Sequence, residues 1–204
     1  MKPVLIVVAG PNGAGKTTVT TRIRADHWSD GVTYINPDEI AEQRFNGWND
    51  PESIKKAAQW AEQERHRLLT AGESLAFETV LSMSDKLSFV QSARANGYFV
   101  RGFFVSTTDP TINAARVTRR VMEGGHTVPI EKIVSRYARS MANLERFIES
   151  CDRTYVYDNS VDEQEARLIA RYNDGALRKA YGAVPDWVVR LTPNIPQHAD
   201  FEAS

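Results

Sequence analysis

The stretch GPNGAGKT (residues 10–17) follows directly on the apolar run VLIVVA (residues 4–9), and an alternating polar and apolar segment comes after it. It matches the pattern G-x-x-x-x-G-K-[ST] in full. Glycines allow consecutive backbone N–H groups to point at one anion, and the helix that follows adds its positive N-terminal end. The stretch therefore predicts a phosphate-binding loop between a buried strand and a helix. A glycine-rich turn with a chance lysine is the alternative.

The loop carries the donors that a nucleoside triphosphate needs. In this pattern Lys16 reaches the β- and γ-phosphates, and the Thr17 hydroxyl ligates Mg²⁺. The predicted cofactors are therefore ATP, or GTP, and Mg²⁺, with Thr17 as the metal ligand. The residues predicted to bind the nucleotide are Gly10, Pro11, Asn12, Gly13, Ala14, Gly15, Lys16, Thr17 and Thr18.

Composition narrows the class of protein. The chain has 204 residues, of which 42% are hydrophobic and 25% charged, and its net charge is −1. This suffices for one ordinary domain with a core, and it gives no overall charge excess to indicate a nucleic-acid or membrane partner. The single Cys151 excludes an internal disulfide framework and fits a cytoplasmic location. The N-terminal apolar run is short for a signal peptide, so a strand is predicted there.

Short apolar runs alternate with helical patterns along the chain. Runs that are apolar on both faces and separated by helices are typical of a parallel sheet covered on both sides. The predicted fold is therefore α/β, a doubly wound parallel sheet with helices on both faces. The predicted strands are residues 4–9, 32–35, 75–77, 99–105, 154–157 and 187–191.

Two helical segments are predicted to form a lid, at about residues 110–146. Asp109 and Pro110 supply an N-cap and a first-turn proline for the first segment. The stretch GGHTVP (residues 124–129) breaks that helix, and an amphipathic pattern then continues to Ile148. One domain is expected over residues 1–193, followed by a loosely ordered tail at 194–204.

The lid segments place arginines together. Arg116, Arg119 and Arg120 lie at i, i+3 and i+4 and share one helix face, and Arg136 and Arg139 lie on one polar stripe of the next helix. Arginines that close over a nucleotide stabilise the charge on the transferring phosphoryl oxygens. A solvated basic face is the alternative.

The segment after the second predicted strand reads NPDEI (residues 36–40) and supplies a candidate general base. Ligands of open α/β sheets lie at the carboxyl ends of the strands. A kinase needs a carboxylate there that takes the proton from the attacking hydroxyl, and Asp38 is the candidate. Alternatively, Asp38 is only a favourable charge at a helix N-terminus.

Several motifs in this order and at these intervals resemble the zeta toxin family of P-loop kinases. The similarity extends over about residues 4–160, and the double-glycine segment with its flanking arginines is more specific than the phosphate-binding loop. The motifs are GPNGAGKTT, NPDEIA, FET, FFVSTTDP, RVTRRVMEGGHTVP and RYARSMANL.

The resemblance implies an activity. Well-known members of this family phosphorylate the 3′-hydroxyl of the N-acetylglucosamine ring in UDP-N-acetylglucosamine, and a small antitoxin protein blocks their nucleotide site. Carried onto this chain, it implies Lys16, Asp38, Arg120 and Arg136 as catalytic residues. Residues Glu78, Thr79 and Arg119 are implied to bind the acceptor.

Two other functions stay open from the sequence. One is a kinase that acts on another small metabolite or a drug, and the other is a nucleotide-binding regulatory module without phosphotransfer. The acceptor-side acids and the lid favour an enzyme over the module.

Overall fold

The computed structural model describes residues 2–45, 47, 50–123 and 128–192. In these residues seven strands form one sheet in the order β2-β3-β1-β4-β5-β6-β7. The first five strands are parallel, and β6 and β7 are antiparallel to their neighbours. The predicted α/β class is confirmed. The strands are β1 (Val4–Ala9), β2 (Thr33–Ile35), β3 (Leu75–Thr79), β4 (Phe99–Ser106), β5 (Arg153–Asp158), β6 (Arg167–Asn173) and β7 (Ala176–Ala180).

Helices cover the two faces of the sheet unequally. Helix α1 packs on one face, where Val19 and Ile23 join the apolar cluster of Ile6 and Val8. Residues of α3, α4, α7 and α8 form a larger apolar cluster on the other face. The described α-helices are α1 (Lys16–Arg24), α2 (Pro37–Arg44), α3 (Pro51–Ala71), α4 (Ser84–Ala95), α5 (Pro110–Met122), α6 (Ile130–Ala142), α7 (Leu144–Ser150) and α8 (Asp186–Leu191).

Three helices begin in the same way, with a polar cap and a proline in the first turn. The side chains of Asn36, Asp50 and Asp109 accept backbone hydrogen bonds at the starts of α2, α3 and α5. These caps satisfy N–H groups that have no partner within the helix. Because α2 begins directly after β2, the cap places Asp38 at the carboxyl edge of the sheet.

The predicted strand at residues 187–191 is wrong, because this segment belongs to helix α8. Trp187 and Val188 are buried against the sheet, and Trp187 Nε1 donates a hydrogen bond of 2.6 Å to Asp158 Oδ2 at the end of β5. Strands β6 and β7 are absent from the sequence prediction. The sheet is therefore mixed, and not parallel throughout.

The amphipathic pattern that ends at Ile148 covers two helices, because α6 ends at Ala142 and α7 begins at Leu144. Asn143 lies between them, and its Nδ2 donates a hydrogen bond of 2.9 Å to the carbonyl of Leu81. The break thus ties the end of α6 to the loop after β3. The predicted glycine hinge, apart from its last two residues, and the predicted tail lie outside the described residues.

Candidate active site

The phosphate-binding loop joins β1 to α1 at the carboxyl edge of the sheet. Gly10 has a φ of 142° and Gly15 a φ of 90°. A Cβ on Gly10 would overlap the carbonyl oxygen of Val105 in the neighbouring strand β4, and one on Gly15 would overlap Asn159 Nδ2. An L side chain would also be strained at these φ values. The loop conformation therefore requires glycine at both ends of the pattern.

Two asparagines from other elements hold the backbone of the loop. Asn113 Nδ2, on α5, donates a hydrogen bond of 2.6 Å to the carbonyl of Asn12, and Asn159 Nδ2, after β5, donates one of 2.8 Å to the carbonyl of Ala14. These bonds fix the peptide planes and so the direction of the N–H groups. Neither asparagine is among the predicted site residues. The polar segment after the β5 run is a sequence signal for Asn159, whereas Asn113 has none.

Lys16 lies against the loop that it follows. Its Nζ donates hydrogen bonds of 2.9 Å to the carbonyls of Gly10 and Pro11. Burial lowers the pKa of Lys16 to about 8; the carboxylate of Glu78 opposes this shift and the charge of Arg120 adds to it. The ammonium group is therefore poorly compensated, and an anion bound in the loop would stabilise its charged form.

Glu78 is fixed between two elements. Tyr34 Oη, on β2, donates a hydrogen bond of 3.1 Å to Glu78 Oε1, and Thr17 Oγ1, on α1, lies 3.5 Å from Glu78 Oε2. Burial and the charge of Glu78 raise the pKa of Tyr34, so its hydroxyl keeps the proton that it donates. The Arg24 guanidinium lies 4.5 Å from the centre of the Tyr34 ring. A carboxylate is thus held next to the hydroxyl of the loop.

Asp38 is the second residue of α2, and its side chain is exposed. Asn36 is the cap of this helix, because its Oδ1 accepts a hydrogen bond of 3.0 Å from the backbone N of Asp38. The Asp38 carboxylate therefore does not cap the helix, although a first-turn acid still favours the helix dipole. Asp38 lines the same cavity as Lys16 and Glu78.

The lid arginines differ in what they contact. Arg116 bonds to Asp162 through Nε at 2.8 Å and to the carbonyl of Asn159 through Nη1 at 2.7 Å. Arg119 is exposed and lies 3.9 Å from Asp162. Arg120 is close enough to Lys16 to lower its pKa. Arg116 therefore anchors α5 to the segment after β5, whereas Arg120 acts on the loop electrostatically.

These elements surround a cavity of about 760 Å³. Its wall carries five cations and two carboxylates, which suits an anionic ligand. All four residues implied to be catalytic and all three implied to bind the acceptor line it. Of the predicted loop residues, Gly10, Pro11, Ala14 and Thr18 do not. The lining residues are Asn12, Gly13, Gly15, Lys16, Thr17, Asn36, Pro37, Asp38, Glu78, Thr79, Val80, Arg116, Val117, Arg119, Arg120, Val128 and Arg136.

Thr79 also has a local bond. Its Oγ1 accepts a hydrogen bond of 3.1 Å from the backbone N of Leu81, which has a φ of 57°. Such a φ is unusual for a residue other than glycine. Part of the role of Thr79 is therefore to stabilise the turn after β3.

The described ranges contain neither a cluster of metal-binding side chains nor a helix that could span a membrane. No group of three or more His, Cys, Asp or Glu side chains could hold a metal ion there. No helix in the same ranges combines the length and apolar character needed to cross a bilayer.

The protein has a P-loop kinase fold. Three features define it: the order of the parallel strands, the glycine loop after β1 and the arginine-bearing helices α5 and α6. The chain belongs to the zeta toxin family, whose model matches residues 1–173.

Individual similar proteins share 27% or less of their residues with this chain. A protein of Haemophilus influenzae, described as uncharacterized, is 27% identical over 137 residues, which are 67% of this chain and 94% of that protein. The structure of AvrRxo1-ORF1:-ORF2 with ATP has a TM-score of 0.67 at 18% identity and covers 98% of this chain, which spans 66% of that one. The structure of the PezAT toxin-antitoxin system of Streptococcus pneumoniae has a TM-score of 0.57 at 21% identity and covers 77% of this chain and 67% of that one. At these identities, the structural likeness shows the fold.

Proposed function

We propose that the chain is a kinase that transfers the γ-phosphate of ATP to a hydroxyl group of a small molecule. The observation that carries the proposal is that one cavity is lined by the phosphate-binding loop, Asp38, Arg120 and Arg136. Phosphoryl transfer depends on positioning and on electrostatic stabilisation, and this cavity offers both. Membership of the zeta toxin family supports the proposal.

In the proposed reaction the acceptor oxygen attacks the γ-phosphorus, and the bond from that phosphorus to the ADP oxygen breaks. The hydroxyl proton passes to the Asp38 carboxylate. Lys16 moves from its two carbonyl partners to the phosphate oxygens. Arg120 and Arg136 stabilise the negative charge on the phosphoryl group during transfer, as a lid over the cavity.

Thr17 at the start of α1 and Glu78 on β3 fit Mg²⁺. Thr17 Oγ1 and Glu78 Oε2 lie 3.5 Å apart, and both are oxygen donors, the kind that Mg²⁺ prefers. Thr17 would hold the ion together with phosphate oxygens. When bound, Mg²⁺ neutralises part of the charge on the phosphates.

For the acceptor we propose UDP-N-acetylglucosamine, phosphorylated at the 3′-hydroxyl of its sugar. The resemblance to zeta toxins favours it, and the charge of the cavity agrees, since donor and acceptor would together carry five phosphates. Glu78, Thr79 and Arg119 are the proposed acceptor contacts. A small antitoxin protein that blocks the nucleotide site is the proposed partner, supported by the toxin-antitoxin system among the similar structures.

Mass spectrometry after incubation with ATP, Mg²⁺ and UDP-N-acetylglucosamine tests the proposal. We expect the acceptor to gain one phosphoryl group, and Lys16→Ala to abolish this gain. Transfer only to a nucleoside, a simple sugar or a drug would leave the kinase standing and reject the acceptor. If no pool of small metabolites stimulates ATP turnover, the kinase proposal itself fails.

A further inference from the structure

One half of the sheet carries a cluster of cations on the face where α1 packs. On this face helix α1 contacts β1 and β3. Farther along the sheet, the β5 and β6 side chains on the same face are partly exposed. We call this half the basic face. Its residues are Phe99, Arg101 and Phe103 of β4, Arg153 and Tyr155 of β5, Arg171 of β6 and Lys179 of β7.

Strand pairing arranges these residues in two rows across the sheet. Arg101 lies opposite Arg153 in the first row. In the second row, Tyr155 lies between Phe103 and Arg171, and Arg171 lies opposite Lys179. Directly opposed residues of neighbouring strands point to the same face. The register therefore places two cations side by side twice, Arg101 with Arg153 and Arg171 with Lys179.

Three cations of the basic face, Arg153, Arg171 and Lys179, are poorly compensated. Across residues 2–45, 50–123 and 128–192, no carboxylate forms an ion pair with Arg153, Arg171 or Lys179. In the same ranges the buried Nε atoms of Arg153 and Arg171 have no hydrogen-bond partner. Because like charges directly opposite each other are destabilising, the protein retains this arrangement at a cost in stability. An anionic ligand would remove that cost.

Aromatic rings lie among the cations. The ring centre of Phe99 is 5.3 Å from the Arg101 guanidinium, 5.9 Å from that of Arg153 and 5.9 Å from Lys2 Nζ. The partly exposed ring of Tyr155 stacks 5.0 Å from the ring of Phe103, which is buried. Aromatic rings and guanidinium planes are the surfaces on which the bases of single strands pack, while arginines and lysines bind the phosphates. The mixture of rings and cations therefore favours a single strand over an acidic protein segment, which has carboxylates for the cations but no bases to stack on the rings.

We propose that the basic face binds single-stranded nucleic acid. The face is distinct from the kinase cavity: Arg153 begins β5, whereas Asn159 follows its other end, about 20 Å away along the strand. The net charge of −1 gives no hint of such a site, because strand order and register gather the cations locally. The proposal thus revises the expectation drawn from composition.

Fluorescence anisotropy with a labelled 12-nucleotide single strand tests the proposal. We expect a Kd of about 10⁻⁶–10⁻⁴ M that weakens with salt. The double variant Arg153→Glu/Arg171→Glu should weaken binding at least tenfold. Arg146→Glu is the matched control, because Arg146 is exposed on α7, which packs on the opposite face. This control should bind like the unmodified chain.

A neutral variant, Arg153→Gln/Arg171→Gln, separates binding from folding. We expect it to weaken binding and lower the salt dependence, while its unfolding temperature stays equal or rises as the like-charge repulsion disappears. Three outcomes would overturn the proposal: no binding at 100 µM protein, full binding by the neutral variant, or equal or tighter binding of a DNA duplex or of polyglutamate. ATP binding by the variants should be unchanged, so the result is independent of the kinase proposal.

Discussion

The Tyr34 hydroxyl donates a hydrogen bond of 3.1 Å to Glu78 and thereby joins β2 to β3 at the edge where the phosphate-binding loop lies. The other oxygen of Glu78 lies 3.5 Å from the Thr17 hydroxyl. Two elements thus fix one carboxylate next to the residue that we expect to ligate Mg²⁺. This makes Tyr34 a positioning residue.

Tyr34→Phe should therefore impair the use of Mg²⁺. A hydrogen bond to a charged group contributes about 1.5 kcal/mol or more, so we expect a roughly tenfold lower kcat at limiting Mg²⁺. Excess Mg²⁺ should restore part of the loss, and the KM for ATP should change little. Tyr155→Phe is the matched control, since Tyr155 lies on β5 and does not line the cavity. Similar losses in both variants, or a Mg²⁺ dependence that does not change, would contradict the assignment.

Asp38 and Glu39 allow the general base to be separated from a helix charge. Both acids lie in the first turn of α2, and only Asp38 lines the cavity. Asp38→Asn should slow phosphoryl transfer by roughly 10²-fold or more, the usual contribution of a positioned base, and keep the affinity for ATP. Glu39→Gln should leave the transfer rate nearly unchanged. If single-turnover rates fall equally in both variants, Asp38 only stabilises the N-terminus of α2 and is not the general base.

The lowered pKa of Lys16 predicts that ATP binding takes up a proton. The free protein has a Lys16 pKa of about 8, because burial disfavours the charged form. Phosphates raise this pKa on binding, so the affinity for ATP should fall as pH increases through 8, by up to about tenfold per unit. Calorimetry at pH 8.5 in buffers of different ionisation enthalpy should show proton uptake. A Kd for ATP that is constant from pH 7 to 9.5 would refute this prediction.

The parts of the site that depend on local sequence can be predicted from the sequence alone. The glycine loop with Lys16 and Thr17 is one continuous segment, and the cap at Asn36 places Asp38 after β2. Asn113 and Tyr34 could not be predicted in the same way, and for Asn159 the only sequence signal is its place in the polar segment after β5. They reach the loop or Glu78 only because β4, β5 and β2 take particular places in the sheet.

The errors in the fold have physical causes too. The apolar run at 187–191 is short, and a short apolar run fits a buried strand and a buried helical turn equally well. Strands β6 and β7 escape the apolar pattern because Arg171 and Lys179 lie on an exposed face of the sheet. Residue patterns therefore indicated the parallel core and missed its antiparallel extension.

The lid arginines should divide into an anchor and a catalytic pair. Arg116 bonds to Asp162 and to the Asn159 carbonyl, and the Asn159 side chain in turn holds the phosphate-binding loop. Arg116→Ala should therefore lower the free energy of unfolding by about 1–3 kcal/mol, because it removes hydrogen bonds made by a charged group.

Arg120→Ala and Arg136→Ala should behave differently. Both side chains line the cavity, so we expect a lower kcat with a smaller change in the KM for ATP and little change in stability. Arg139→Ala is the control, because Arg139 is exposed on α6 and does not line the cavity. Denaturant unfolding and steady-state kinetics of the four variants decide the matter. Equal effects confined to KM would mean that the arginines form a diffuse basic face and do not act on the phosphoryl group in transfer.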